Sequence, residues 1–123
     1  MVDDEADTRD LLTVLLAAEG AEVDTAESAQ QALFKLGQAS YDVLVSDIGM
    51  PEEDGYALLR QVRAAEAAAT ATVPAIALTA FAGFRNRHRA QEVGFNAQLA
   101  KPVEIAELVA TLAWVTGRTG TPK

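Results

Sequence analysis

The sequence predicts an α/β fold in which a doubly wound parallel sheet of five strands is covered by helices on both faces. Apolar residues recur at helical spacing in some segments and in short continuous runs in others, and the two patterns alternate along the chain. The run Val43, Leu44 and Val45 is typical of a strand that is buried on both faces. Short connections between these segments favour a parallel sheet with helices packed against it.

Glycine and capping residues mark the ends of the predicted elements. Gly20, Gly37 and Gly94 follow the last apolar residues of three predicted helices, as C-terminal glycines do. Ser28 is placed to cap the second helix. Helices are predicted at 6–19, 28–37, 55–66, 85–93 and from 105 onward, and strands at 22–26, 43–45, 75–78 and 97–100. Residues 1–116 are predicted to form one domain, and 117–123 a flexible C-terminal tail.

The first strand is largely truncated in this sequence, because only Met1 and Val2 precede Asp3. A strand usually has about five residues, and in a doubly wound sheet of order 2-1-3-4-5 the first strand is central. We therefore expect either that the sequence is an excerpt of a longer polypeptide or that the domain rearranges to fill the gap. A dimer that exchanges strands with a second copy is one such rearrangement.

Composition excludes several classes of protein. The absence of cysteine excludes a disulfide scaffold, a thiolate metal site and a cysteine nucleophile. Ten Lys+Arg against eighteen Asp+Glu give a net charge of -8, which disfavours direct binding to nucleic acid. Since no apolar run is long enough to cross a bilayer, we expect a soluble, cytoplasmic domain without direct membrane contact, or the cytoplasmic part of a membrane-bound protein.

Carboxylate, hydroxyl and ammonium side chains stand at the carboxyl ends of the predicted strands. Asp3 and Asp4 come after the first strand and Asp47 after the third, while Thr79 and Lys101 close the fourth and fifth. In a parallel α/β sheet, ligands bind beyond the carboxyl ends of the strands. These five residues are therefore expected to converge on one crevice.

Carboxylates that lie close together repel each other, and a hard divalent cation relieves that repulsion. We expect Mg²⁺ at this edge, with Asp4 and Asp47 as direct ligands and Asp3 behind a water molecule. The backbone carbonyl of Gly49 is a further candidate ligand. A phosphoryl group on Asp47 would be neutralised by the cation and by Lys101, with Thr79 donating a hydrogen bond.

Each of these residues alone also has an ordinary structural interpretation. Asp3 and Asp4 suit the N-terminus of a helix, Asp47 suits a turn, and Lys101 suits a solvated surface. Their occurrence at successive strand ends of one sheet favours the functional interpretation instead.

Four segments resemble the response-regulator receiver domain of two-component systems, in the right order and over nearly the whole chain. They are VDDE at residues 2–5, VLVSDIGMPEEDG at 43–55, PAIALTA at 74–80 and LAKP at 99–102. The resemblance implies a flavodoxin-like (CheY-like) fold, with Asp47 as phosphoacceptor, Asp3 and Asp4 as the acidic pair, Thr79 as switch hydroxyl and Lys101 as the family's lysine. It also implies a cis bond before Pro102 and a histidine kinase or histidine phosphotransfer domain as partner.

One residue departs from the family pattern, because Gln98 occupies a position where receivers often carry an aromatic side chain. A switch that couples Thr79 to an aromatic residue is therefore not expected here. The segments ALTAFA and FNAQLAKPV most resemble those of receivers attached to hybrid sensor histidine kinases. We therefore favour a bacterial hybrid kinase as the parent protein over a stand-alone regulator.

Two other classes of function stay open. A pseudo-receiver, which is never phosphorylated, would serve only as an interaction module that presents a partner surface. A phosphatase with Asp47 as nucleophile needs a second carboxylate two residues later, and Gly49 stands there, so this class is disfavoured. We expect no independent turnover by this chain, although a parent polypeptide could be a histidine kinase.

Overall fold

The computed structural model describes residues 1–3, 6–39, 41–48, 55–65, 68–79, 84–101 and 103–116. No helix in these ranges is long and apolar enough to span a membrane. The elements in chain order are α1 (Ala6–Ala18), α2 (Ala29–Gln38), β1 (Leu44–Asp47), α3 (Gly55–Arg63), α4 (Ala68–Ala71), β2 (Ala75–Thr79), α5 (Phe84–Val93), β3 (Ala97–Ala100) and α6 (Ile105–Val115).

The three strands form a parallel sheet in the order β1-β2-β3. Val2 extends this sheet beyond β1, because it forms parallel bridges with Ser46 on one side and with Ala26 on the other. Across the sheet the positions are therefore Ala26, Val2, β1, β2 and β3, which confirms the predicted order 2-1-3-4-5. The fold is the flavodoxin-like α/β fold expected from the sequence.

Two of the five predicted strands are each reduced to one bridging residue, Val2 and Ala26. Among the described residues, the strand predicted at 22–26 forms a parallel bridge at Ala26 with Val2. The truncated first strand nevertheless bonds to both neighbours. On the β1 side, the Val2 N–H donates to the Val45 carbonyl at 2.7 Å, and the Asp47 N–H donates to the Val2 carbonyl at 2.8 Å. On the other side, the Ala26 N–H donates to the Met1 carbonyl at 2.8 Å, and the Asp3 N–H donates to the Ala26 carbonyl at 3.1 Å.

Helix ends follow the sequence signals with one exception. Gly20 and Gly94 have φ angles of 91° and 110°, so both occupy the left-handed region that favours glycine after a helix. Ser28 caps α2, and its side chain accepts a hydrogen bond of 3.2 Å from the Gln31 N–H. Gly37 was predicted to end this helix, but it lies inside α2, which continues to Gln38.

The helix predicted at 55–66 is shorter in the structure, and a separate short helix follows it. Helix α3 ends at Arg63, and α4 then forms as a separate short helix. The Arg63 guanidinium donates to the carbonyl of Ala71 at 3.1 Å, to that of Val73 at 2.6 Å and to that of Gly94 at 2.7 Å. This half-buried arginine thus joins the end of α4 to the segments that precede β2 and β3.

The hydrophobic core lies on both faces of the sheet. All nine residues of β1 and β2 are buried. One cluster, which includes Leu58 and Ala77, lies on the face covered by α2, α3 and α5. The other, which includes Leu12, Leu78 and Leu108, lies on the face covered by α1 and α6. The helices therefore cover both faces, as a doubly wound sheet requires.

Gly55 is required where α3 begins directly against the end of β1. A Cβ atom at this position would lie 2.6 Å from the Asp47 carbonyl oxygen and 2.9 Å from the Ile48 Cα. Both of these are backbone atoms, so a side chain cannot be accommodated by rotating a neighbour. We expect Gly55→Ala to lower the free energy of unfolding by about 1–3 kcal/mol, measured by urea denaturation.

Gly37→Ala is the matched control for this substitution. It also adds one methyl group within or at the start of a helix, but no heavy atom lies within 4 Å of its Cβ position. Because alanine is more favourable than glycine in the interior of a helix, the free energy of unfolding of this variant is expected to rise by about 0.5–1 kcal/mol. Equal stability of the two variants would contradict the close approach at Gly55.

Candidate functional site

Four of the candidate residues lie at the carboxyl ends of neighbouring sheet positions. Asp3 directly follows Val2, Asp47 ends β1, Thr79 ends β2, and Lys101 follows β3. Backbone hydrogen bonds set the alignment of these positions along the strand direction. The Asp47 N–H donates to the Val2 carbonyl and the Lys101 N–H donates to the Thr79 carbonyl, each at 2.8 Å. The structure therefore places all four at one edge of the sheet.

Two buried carboxylates share the ammonium group of Lys101. Its Nζ atom lies 3.0 Å from Oδ2 of Asp47 and 3.4 Å from Oδ2 of Asp3. Asp3 is 0% exposed and Asp47 is 6% exposed, whereas the Lys101 side chain is 21% exposed. The lysine thus reaches from the surface into a site whose anionic groups are almost completely shielded from water.

The alternation of side chains along the strands explains this meeting. Asp3, Asp47 and Lys101 each stand two positions after a residue that belongs to, or packs against, the core cluster on the α1 and α6 face. Those preceding residues are Met1, Val45 and Leu99. Because side chains two positions apart in a strand share a face, all three polar groups emerge on the same side of the sheet.

The charge state of Lys101 is set by opposing effects. Burial disfavours its ammonium form, but the hydrogen bond and the charge of Asp47, together with those of Asp3, outweigh burial and raise the pKa of Lys101. Lys101 is therefore charged at neutral pH. One positive charge then faces two carboxylates, so the site has a capacity for further cationic charge.

Thr79 is 5% exposed at the end of β2. Its backbone carbonyl accepts the hydrogen bond from Lys101 described above, which ties the β2 end to the lysine. Thr79 therefore lies at the same buried edge of the sheet as the two carboxylates.

Arg9 is a residue of this edge that the sequence analysis missed. Its Nη1 atom donates to the backbone carbonyl of Asp3 at 2.8 Å, and its Nη2 lies 3.8 Å from the Glu27 carboxylate. Arg9 thereby holds the backbone of Asp3 from α1. An arginine one turn into the helix that follows the acidic pair is the signal that could have indicated it.

Gln98 lies on β3 opposite Ala77 in the register of the sheet. Both polar atoms of its side chain are buried, and among the described residues neither has a hydrogen-bond partner. An amide with these properties is an unusual substitute for an aromatic ring.

Several predicted residues lie outside the described residues, among them Asp4, Gly49 and Pro102, as does the predicted tail at 117–123. Within the described ranges, no group of three or more His, Cys, Asp or Glu side chains is placed to hold a metal ion. The described carboxylates at the site are Asp3 and Asp47.

Comparison with known proteins gives a consistent result. The model of the response regulator receiver domain matches residues 1–113. An uncharacterized 14.6 kDa protein of Leptolyngbya boryana is 48% identical over 109 residues, which cover 89% of this chain and 82% of that protein. The virulence transcriptional regulatory protein PhoP of Salmonella typhimurium is 32% identical over 112 residues, which cover 91% of this chain. Only 48% of PhoP is matched, so the chain spans about half of that relative's length.

A solved structure shows the same similarity in three dimensions. It is the receiver domain of the sensor histidine kinase PA1611 of Pseudomonas aeruginosa, crystallised with a magnesium ion coordinated in its active-site cleft. The TM-score is 0.85 at 33% identity, and the alignment covers 94% of this chain and 93% of that one.

Proposed function

This chain belongs to the response-regulator receiver domain family of two-component signalling, and from that membership we propose that it accepts a phosphoryl group on Asp47. The observation that carries the proposal is the buried contact of Lys101 Nζ with the carboxylates of Asp47 and Asp3, at 3.0 and 3.4 Å. A carboxylate held beside a fixed cation at a strand end is suited to receive an anionic group.

The proposed reaction transfers the phosphoryl group from a phospho-histidine of a donor protein. A bond forms between a carboxylate oxygen of Asp47 and phosphorus, while the bond between phosphorus and the imidazole nitrogen breaks. The imidazole retains the electron pair of the broken bond. Lys101 stabilises negative charge on the transferring group, and the Thr79 hydroxyl donates a hydrogen bond to one of its oxygens.

Magnesium fits the donor set at this edge. Two buried carboxylates opposite one ammonium leave an excess of negative charge, and oxygen ligands of this kind suit Mg²⁺. We propose that Asp3 and Asp47, with Asp4 and the Gly49 carbonyl, hold the ion. When bound, it would neutralise charge on the incoming phosphoryl group. The PA1611 receiver, which has magnesium in its cleft, supports this assignment by similarity.

Removal of one carboxylate tests the magnesium assignment. Asp3→Asn is expected to weaken Mg²⁺ binding by at least about tenfold, measured by isothermal titration calorimetry, because a charged oxygen donor becomes a neutral amide. Asp10→Asn removes an exposed carboxylate of α1 and is expected to leave the affinity unchanged. If both variants bound Mg²⁺ as the unmodified protein does, Asp3 would not contribute to the ion's site.

Incubation with acetyl phosphate or a phospho-histidine donor tests the function as a whole. We expect the intact mass to rise by about 80 Da, the mass of one phosphoryl group, in the presence of Mg²⁺ and not in the presence of excess EDTA. A chain that gains no mass under any of these conditions would be a pseudo-receiver. Steady turnover of a generic phosphomonoester would instead indicate the aspartate phosphatase that Gly49 disfavours.

The parent protein of the domain is a separate question with two candidates. The 14.6 kDa size of the Leptolyngbya boryana relative supports a stand-alone regulator. The similarity to the receiver of a sensor histidine kinase supports a hybrid kinase, which the segments ALTAFA and FNAQLAKPV also favour. Detection of the native protein by immunoblot distinguishes a band of single-domain size, similar to that of the 14.6 kDa relative, from the band of a much larger kinase.

In either case the proposed partner is a histidine kinase or a histidine phosphotransfer domain, met in the cytoplasm. Self-association, including strand exchange, stays a prediction that light scattering would test.

A further inference from the structure

An open cavity of about 460 Å³ lies between the second halves of α3 and α5. Its lining consists of Arg60, Arg63, Ala64, Arg89, Glu92 and Val93. Three of the ten Lys+Arg residues of the chain thus line one concave surface, together with a single carboxylate. The cavity is therefore locally positive, although the chain as a whole has a net charge of -8.

Helical spacing brings these side chains to the junction of the two helices. Arg60 and Arg63 lie four and seven positions after Tyr56, so all three share one face of α3. Glu92 lies three positions after Arg89, so these two share a face of α5. Arg89 reaches across to α3, because its guanidinium carbon lies 4.1 Å from the centroid of the Tyr56 ring. The packing of α3 against α5 thus collects the arginines of both helices around one space.

Arg63 supplies positive charge to this space but no free donor. The five hydrogen bonds of its guanidinium go to neutral oxygens, namely the carbonyls of Ala71 and Val73, the carbonyl of Gly94 twice, and Oδ1 of Asn96. A guanidinium has five N–H donors, so none is left for a ligand. Because no acceptor is charged, these bonds hold the guanidinium in place without compensating its positive charge.

Arg60 and Arg89 are the arginines whose donors are available. Both are exposed, and within the described ranges neither side chain forms a salt bridge or a hydrogen bond. The contact with the Tyr56 ring positions the Arg89 guanidinium without a hydrogen-bond acceptor. Guanidinium groups bind phosphate oxygens in pairs through their planar donors. Two available forks beside a third positive charge therefore suit a phosphate group.

We propose that this cavity binds a small phosphorylated anion. Its phosphate group accepts hydrogen bonds from Arg60 and Arg89 and lies in the positive field of Arg63. The volume of about 460 Å³ falls in the range of small-ligand sites, so the cavity has room for an organic group attached to the phosphate. Glu92 opposes the anion, and its Oε1 lies 3.5 Å from Nε2 of His88 on the same helix.

The cavity and the proposed phosphorylation site lie toward opposite edges of the sheet. Helix α3 begins at Gly55, directly against the end of β1 at Asp47. At its other end, Arg63 bonds to the carbonyls of Val73 and Gly94, which precede β2 and β3. The arginine cavity thus lies toward the amino ends of the strands, whereas Asp47 lies at the carboxyl ends. Anion binding here is a property distinct from phosphorylation of Asp47.

Titration calorimetry in a metal-free Tris buffer of low ionic strength tests the proposal. Inorganic phosphate and AMP are the two probes, since each carries one phosphate group. Without Mg²⁺, the paired carboxylates of Asp3 and Asp47 disfavour anions at the other site. Arg60→Met and Arg89→Met are each expected to raise the Kd by at least about tenfold, because each removes charge-assisted donors to phosphate.

Two further variants separate this effect from general changes in charge or folding. Lys35→Met also removes one positive charge, but its ammonium bonds to the Thr25 carbonyl outside the cavity, so the Kd should stay unchanged. Glu92→Gln removes the opposing carboxylate and is expected to lower the Kd by about two- to fivefold. A loss of folding cannot produce this gain in affinity.

The two probes distinguish the source of the phosphate group. Equal affinities would identify the phosphate group alone as the ligand, whereas tighter binding of AMP would show that the cavity also holds an organic part. Absence of binding for both probes at about 10 mM would overturn the proposal. An unchanged Kd in both Arg60→Met and Arg89→Met would also overturn it, as would binding of a hexaglutamate peptide but of neither probe.

Discussion

Asp47→Asn is expected to accept no phosphoryl group from acetyl phosphate or phospho-histidine in the presence of Mg²⁺. Asparagine has nearly the same shape and keeps one oxygen near Lys101, but its neutral amide is a far weaker nucleophile than a carboxylate. Because Asp47 is almost fully buried at the end of β1, the substitution removes the attacking group with little change in the surrounding packing. Intact-mass spectrometry should show no increase of about 80 Da.

Asp42→Asn is the matched control for this prediction. Asp42 is exposed and lies a few residues before β1, so the same loss of one carboxylate occurs outside the buried edge. This variant is expected to gain mass as the unmodified protein does. An adduct that formed equally on Asp47→Asn would show that a different residue is phosphorylated.

Lys101→Met is expected to slow phosphorylation by about 10²–10³-fold, the usual effect of removing one preorganised charge or donor from a transition state. Methionine preserves much of the length and apolar stem of lysine but removes the cation that lies 3.0 Å from Asp47. The rate is measured from the time course of mass increase at saturating Mg²⁺. Asp42→Asn, outside the buried edge, should leave the rate unchanged, and a normal rate for Lys101→Met would exclude this role.

The same variant allows the contribution of Lys101 to stability to be followed with pH. Its pKa is raised above the ordinary lysine value of 10.5 by Asp47 and Asp3, against the opposing effect of burial. Stability from a raised pKa is fully present below the unfolded value and is lost as pH rises through the folded value. The free energy of unfolding of the unmodified protein should therefore exceed that of Lys101→Met by about 1–3 kcal/mol at neutral pH. This difference should decline only above the ordinary lysine pKa.

The order of the sheet could be predicted from local features of the sequence. The apolar run Val43 to Val45 indicates a strand buried on both faces, and Gly94 and Ser28 mark helix ends through their own backbone and side-chain chemistry. The edge position of Asp3, Asp47 and Lys101 follows from their place after these strands, because parallel strands end at one edge.

Other features depend on partners that are distant in the chain and could not be predicted. The separate helix α4 is held by Arg63, whose acceptors Ala71 and Gly94 are not recognisable as its partners from the sequence. The bridge at Ala26 is formed with Val2, which is 24 positions away in the chain and is not indicated by the residues around Ala26. The contact of Arg9 with the Asp3 carbonyl requires the angle between α1 and the sheet, which no local pattern specifies.

Direct identification of the phosphorylated residue is the most decisive measurement for the proposed function. Borohydride reduces an aspartyl phosphate to homoserine, and peptide sequencing by tandem mass spectrometry then reads the modified position. We predict homoserine at position 47 alone, with Asp3 and Asp42 unchanged after treatment with phosphodonor and Mg²⁺. Homoserine at another aspartate, or unmodified aspartate at position 47 in a chain that has gained the phosphoryl mass, would contradict the assignment of Asp47 as phosphoacceptor.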